Sequence, residues 1–182
     1  MKTYLKFILL VILFTSCDKD DTPKDPIDQL PEATQTGENT IGCLVNGEAF
    51  TDSGLMVNFY QKVDGKYNLV INWDDGTNIA SRDGQLVLVQ IKEIQENYTY
   101  ILNYSDYADG DFIGGSATFT TNMPDLEGQY ETNKNYTGQI YFTRFDSENQ
   151  IMSGTFSFEA EEILFGGSVS ITDGRFDLTF TK

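Results

Sequence analysis

The 182-residue sequence contains no histidine. That absence removes the Ser-His-Asp and Cys-His arrangements, histidine-ligated zinc and the usual general base near neutral pH. Cysteine is nearly as scarce, with Cys17 and Cys43 the only two. Lys and Arg number 12 against 28 Asp and Glu, a net charge of −16 that becomes −18 once the two lysines of the leader described below are set aside. A field of that sign repels DNA, RNA and anionic headgroups, so nucleic acid is excluded and any partner held by charge is cationic. The patterns G-x-S-x-G and G-x-G-x-x-G and the phosphate-binding P-loop are all missing, and with them the usual marks of a nucleophile elbow or a nucleotide site. What remains is 40% hydrophobic and 13% aromatic with 16 glycines, enough for one domain with a real core.

Lys2 and Lys6 precede an unbroken apolar run from residue 7 to 14, followed by Thr15, Ser16 and Cys17. Eight apolar residues are too few to span a bilayer, which takes about 20. The arrangement reads as a secretory signal. The cysteine directly after the small pair resembles a bacterial lipobox, in which that cysteine is acylated and becomes the mature N-terminus, with Phe14 in place of the commoner Leu. The expected organisation is a lipoprotein signal peptide over 1–16, the lipidated Cys17 (palmitate) with an acidic, proline-bearing tether over 17–40, and one domain over 41–182. Residues 18–40 hold seven acidic side chains and three of the four prolines, a composition expected to stay disordered and to reach at most about 70–80 Å. The acidic run 18–21 looks like an export signal that sends such lipoproteins to the outer face of the outer membrane.

From residue 41 the apolar pattern has period two, and dipeptides such as Asn46-Gly47, Asp64-Gly65, Asp75-Gly76, Asp83-Gly84 and Asp173-Gly174 punctuate it. Alternation of this kind predicts half-buried strands, and those dipeptides predict hairpin turns. The expected fold is all-β: an antiparallel meander of about 9–11 strands closed into a β-sandwich or flattened barrel, with no long helix. The strands fall near 42–45, 48–51, 55–61, 67–73, 86–93, 98–104, 115–121, 137–145, 151–160, 168–172 and 175–181. Burial of Leu55, Val57 and Phe59 against Trp73, Ile71 and Leu69 predicts a three-residue loop at 63–65. A two-residue turn at Asp173-Gly174 sets Ile171 against Phe176.

Candidate chemistry is sparse. Cys43, flanked by apolar residues, reads as a buried core thiol. The acidic loops at 74–78, 106–111 and 146–149 do not match calcium-loop spacing and read as solvated turns. Twenty-one carboxylates beyond residue 40 make a glycosidase-like pair at the required separation inevitable by chance. No catalytic, metal-binding or cofactor-binding residue is assigned, and no cofactor is expected. Tyr98, Tyr100 and Tyr104 share a strand face with Leu102 and read as core. Tyr60 and Tyr141 lie opposite their strands' inward residues and form the candidate contact surface.

The segments Gly-Cys-Leu-Val-Asn-Gly (42–47), Ser-Gly-Thr-Phe-Ser-Phe-x-Ala (153–160) and Ile-Thr-Asp-Gly-Arg-Phe-Asp (171–177) resemble an uncharacterised family of Bacteroidetes lipoproteins. The resemblance implies a secreted or outer-membrane lipoprotein and carries no catalytic or binding residue. The expected function is a non-catalytic binding or accessory module anchored to the bacterial outer membrane and exposed at the surface or in the periplasm. Its partner is a protein or a neutral glycan. The alternatives are a structural or assembly component of the envelope, or a carboxylate-dependent glycan hydrolase.

Overall fold

The computed structural model describes residues 25–182 apart from 53, 55, 77–80, 105–111 and 165. Cys17, the rest of the leader and the 106–111 loop therefore lie outside the described residues. Among the described residues there are eleven strands and one short 3₁₀ helix, Pro26–Gln29. The strands are β1 (Thr40–Val45), β2 (Glu48–Thr51), β3 (Phe59–Val63), β4 (Lys66–Asp74), β5 (Arg82–Gln90), β6 (Tyr98–Leu102), β7 (Gly114–Thr121), β8 (Gly128–Glu131), β9 (Gly138–Asp146), β10 (Ile151–Glu162) and β11 (Ser168–Thr179). The protein is all-β, and every strand pair is antiparallel.

The main path runs β2-β1-β11-β10-β8-β7-β5-β4-β3, and β9 leaves it to join β10 to β6. The long β10 therefore divides its partners: its first half pairs with β9 and its end pairs with β8. The sheet is not closed and folds over into a sandwich-like pair of layers. A parallel bridge from Phe59 to Thr181 ties the edge strand β3 to the segment after β11. Between the layers lie Trp73, Phe119, Phe142, Phe156 and Phe176, with the Trp73 and Phe156 rings 5.2 Å apart. Each such side chain taken from water contributes about 1.5–3 kcal/mol, which is what a sheet needs to offset its ordering entropy.

Several expectations are corrected. The Asp64-Gly65 loop has two residues, both at positive φ (49° and 81°), and pairs Val63 with Lys66 and Tyr60 with Leu69. Asn-Gly and Asp-Gly favour this primed turn because its twist matches that of the strands. The shift by one residue turns Val57 outward and Tyr60 inward. Burial misled here because this part of the sheet is apolar on both faces: Val70, Val87 and Val89 form a second cluster under Phe112, with Phe59 packed against it.

Asp173-Gly174 is no turn. β11 is continuous, and Asp173, at φ 54°, belongs to a bulge where β11 carries one residue more than both neighbours. The extra residue switches the inward parity, so Val169 and Ile171 before it and Phe176 and Leu178 after it all face the core. Asp83-Gly84 lies inside β5, where a Cβ on Gly84 would sit 2.0 Å from the Trp73 ring. The order departs from a simple meander at β6, β8 and β9. β8, with Tyr130 its one core side chain, offered too little alternation to be read.

Residues 25–40 of the segment expected as tether pack on the domain. Leu30 is buried, and Pro31 packs so closely on Gly42 that a Cβ there would approach it to 2.6 Å. The residues that follow form a strap over the outward face, bound to Asp177. That carboxylate is 1% exposed and accepts from the Thr34 hydroxyl (2.7 Å), the Ser153 hydroxyl (2.7 Å) and the backbone N–H groups of Thr36, Gly37 and Glu38 (2.9–3.1 Å). Arg144 donates to the Gln35 carbonyl, and Asn39 Oδ1 accepts from Thr179. A polar segment needs no apolar face when buried charge binds its amides.

Candidate functional site

The outward face of β9, β10 and β11 is built by strand parity. In β10, Phe156, Phe158 and Ala160 point into the core, so Thr155, Ser157 and Glu159 point out. Register sets the neighbours: Tyr141 of β9, Thr155 of β10 and Arg175 of β11 form one row, and Gln139 and Ser157 the next. Two adjoining hollows of about 380 and 350 Å³ follow this face and share Gln139 and Ser157. Together they make one shallow groove. Ala33 of the strap and Arg175 bound one end, and Ile101, Thr137 and Glu159 line the other.

Tyr141 is half-buried, and its hydroxyl donates to Asn97 Oδ1 at 3.2 Å. That exposed bond links the tip of the ring to the segment before β6. The bulge in β11 places Asp173 and Arg175 of opposite charge together at the strap end. At the other end Ser170 donates to Glu159 (2.6 Å). The lining thus mixes hydroxyl and amide groups with the apolar side chains of Ile101, Phe156, Phe158 and Ile171, has the Tyr141 ring at one side, and carries Asp173 and Glu159 against Arg175.

Tyr60, expected to share the contact surface, does not. It is 5% exposed, stacked on Tyr67 and set edge-on to Phe145 and Phe180. Its oxygen accepts the Ile94 N–H, and burial pushes the phenol up to about 12 against that bond. The two-residue turn is the cause: it reverses the parity of β3. Of the tyrosines expected in the core, Tyr100 is buried while Tyr98 and Tyr104 are 51% and 38% exposed.

Cys43 is buried, and loss of solvent raises its thiol to about 12, slightly opposed by Arg82. It is no nucleophile at neutral pH. Asp146 caps the 146–149 turn; bonds from Asn149 and Arg144 hold it well below the carboxylate range. Burial, followed by the charges of Asp74 and Asp75, raises Asp83, which lies directly across from Asp74. Raised and paired carboxylates are what a hydrolase needs, yet neither lines the groove. Among the described residues no group of three or more Cys, Asp or Glu side chains is placed to hold a metal ion.

Two features of the site were not read from sequence. Ile101 sits in its expected strand with no sequence signal of a role, and the strap has the composition of a linker. No family model, curated protein or solved structure matches this chain.

Proposed function

We propose that this protein is a lipid-anchored component of the bacterial outer membrane that acts as a non-catalytic binding module through the groove beside Tyr141. The basic, apolar and small-residue succession ending at Cys17 supports the anchor. No described helix is long and apolar enough to cross a membrane, so strong attachment would rest on acyl chains, two or more of which hold a protein stably. The observation that carries the binding role is the groove itself: a sheet face lined by Thr155, Ser157, Gln139 and Tyr141.

Packing of residues 25–40 on the domain changes how it is held. Residues 18–24 are all that separate Cys17 from the packed segment, at most about 26–29 Å of chain. An anchored domain would stay close to the membrane and keep its partner at high local concentration.

Two measurements test this reading. Radiolabelled palmitate should enter the wild type and be lost in Cys17→Ala. With Gln139→Cys, a membrane-impermeant maleimide should label the purified protein fully and the protein on intact cells several-fold less, whereas Lys62→Cys on the other layer should label equally in both. Equal labelling at 139 in both settings would remove the binding role.

A further inference from the structure

We infer that the groove beside Tyr141 is a carbohydrate site whose ligand is a short neutral oligosaccharide lying along β10. The inference rests on the reading that this groove is where the protein binds, and adds the class of ligand. The backbone of the floor is already committed: β10 is paired to β9 on one side and to β11 on the other through this region. An extended peptide therefore has no strand edge to join here, and recognition falls to side chains.

Those side chains are Thr155, Ser157 and Gln139, groups that both donate and accept and so match the hydroxyls of a sugar. Between them Phe156, Phe158 and Ile101 add apolar surface, which suits the C–H faces of a sugar, while the hydroxyl and amide groups beside it suit the sugar's rim. Tyr141 supplies the accessible ring, bonded to Asn97, since Phe156 and Phe158 are almost wholly buried, and an aromatic face packs against the C–H face of a pyranose while its polar rim stays wet. Arg175 and Asp173 offset each other at the strap end, and the net charge of −16 opposes acidic sugars. From Thr155 to Glu159 the groove runs about 13 Å at 3.3 Å per residue, longer than a single sugar ring requires.

The test is titration calorimetry of the full chain in detergent micelles with cellohexaose, xylohexaose, mannohexaose, maltohexaose and laminarihexaose as probes. At least one should bind, and its affinity should fall fivefold or more in Tyr141→Ala and in Ser157→Arg, while Lys62→Ala leaves it unchanged. Thermal unfolding of each variant within a few degrees of wild type confirms that the groove alone was altered. Binding of none of the five by the wild type, or equal affinity in both groove variants, overturns the carbohydrate assignment. If the maleimide experiment still shows Gln139 masked on cells, the binding role stands and the ligand is of another class. If Gln139 is unmasked as well, both readings fall.

Discussion

Replacing Asp177 by Asn should test how the strap is held. The Asp177 carboxylate receives five hydrogen bonds, two on Oδ1 from Gly37 and Ser153 and three on Oδ2 from Thr34, Thr36 and Glu38. An asparagine offers one oxygen, and its NH₂ must face donors. Ser153 and Thr34 can turn their hydroxyls to accept, but whichever way the amide is placed at least one backbone N–H loses its acceptor. An orphaned buried donor costs about 1–3 kcal/mol, and the surviving bonds lose the strength that charge gave them, for a total of about 3–5 kcal/mol.

The charge also sets a pH dependence. Burial opposes ionisation of Asp177, but the bonds from Thr34, Ser153, Thr36 and Gly37 outweigh it and hold the group at about 2 against an ordinary 3.8. A carboxylate lowered on folding stabilises the fold above its unfolded value, and that contribution disappears as pH falls through the folded one. The wild type should therefore lose a little under about 2 kcal/mol from this group between pH 4 and 2. Urea unfolding at pH 7 should show the Asp177→Asn midpoint lower by about 1–3 M, and the variant should lack this share of the acid-induced loss. Amide exchange at residues 36–38 should accelerate with it. A cost below about 1 kcal/mol, or an unchanged slope between pH 4 and 2, would refute this account of the strap.

Other consequences follow from the packing. Gly84→Ala would drive a methyl into the fully buried Trp73 ring, and should cost 3 kcal/mol or more, read as a lowered midpoint and a red-shifted tryptophan emission. Tyr60→Phe loses the acceptor for the Ile94 N–H and should cost about 1 kcal/mol, whereas Tyr60→Ala opens a cavity among Tyr67, Phe145 and Phe180 and should cost about 3–5 kcal/mol by denaturant titration. Cys43 should resist a thiol reagent at pH 8 in the native protein and react at once in guanidinium, because it is fully buried with its thiol near 12.

Much of the fold was legible because period-two patterning and Asn-Gly or Asp-Gly turns report directly on strand geometry. At β11 the limit is that alternation says that parity changes, not how. Between Ile171 and Phe176 the inward set changes from odd to even positions, which a hairpin and a one-residue bulge explain equally well; β10 and β1, lying on either side of β11, decide for the bulge. At β3 a second apolar cluster made both faces look like core, and the wrong loop length followed. Tyr60 and Tyr141 therefore had the same reading from sequence and opposite places in the structure. The strap looked like linker because its attachment uses a distant carboxylate, and only Asp177, an acid between Phe176 and Leu178, hinted at a buried charge.

If the outward face of β9–β11 is where this protein meets its partner, a photocrosslinking scan in intact cells will find the contact there. A photoreactive residue placed in turn at Gln139, Ser157 and Arg175 on that face, and at Gln61, Lys62 and Glu48 elsewhere, reports contact position by position. Adducts confined to the first three positions, and lost when Tyr141→Ala is added, are the predicted result. Adducts at the other three alone, or equal yields at all six, would place the contact elsewhere.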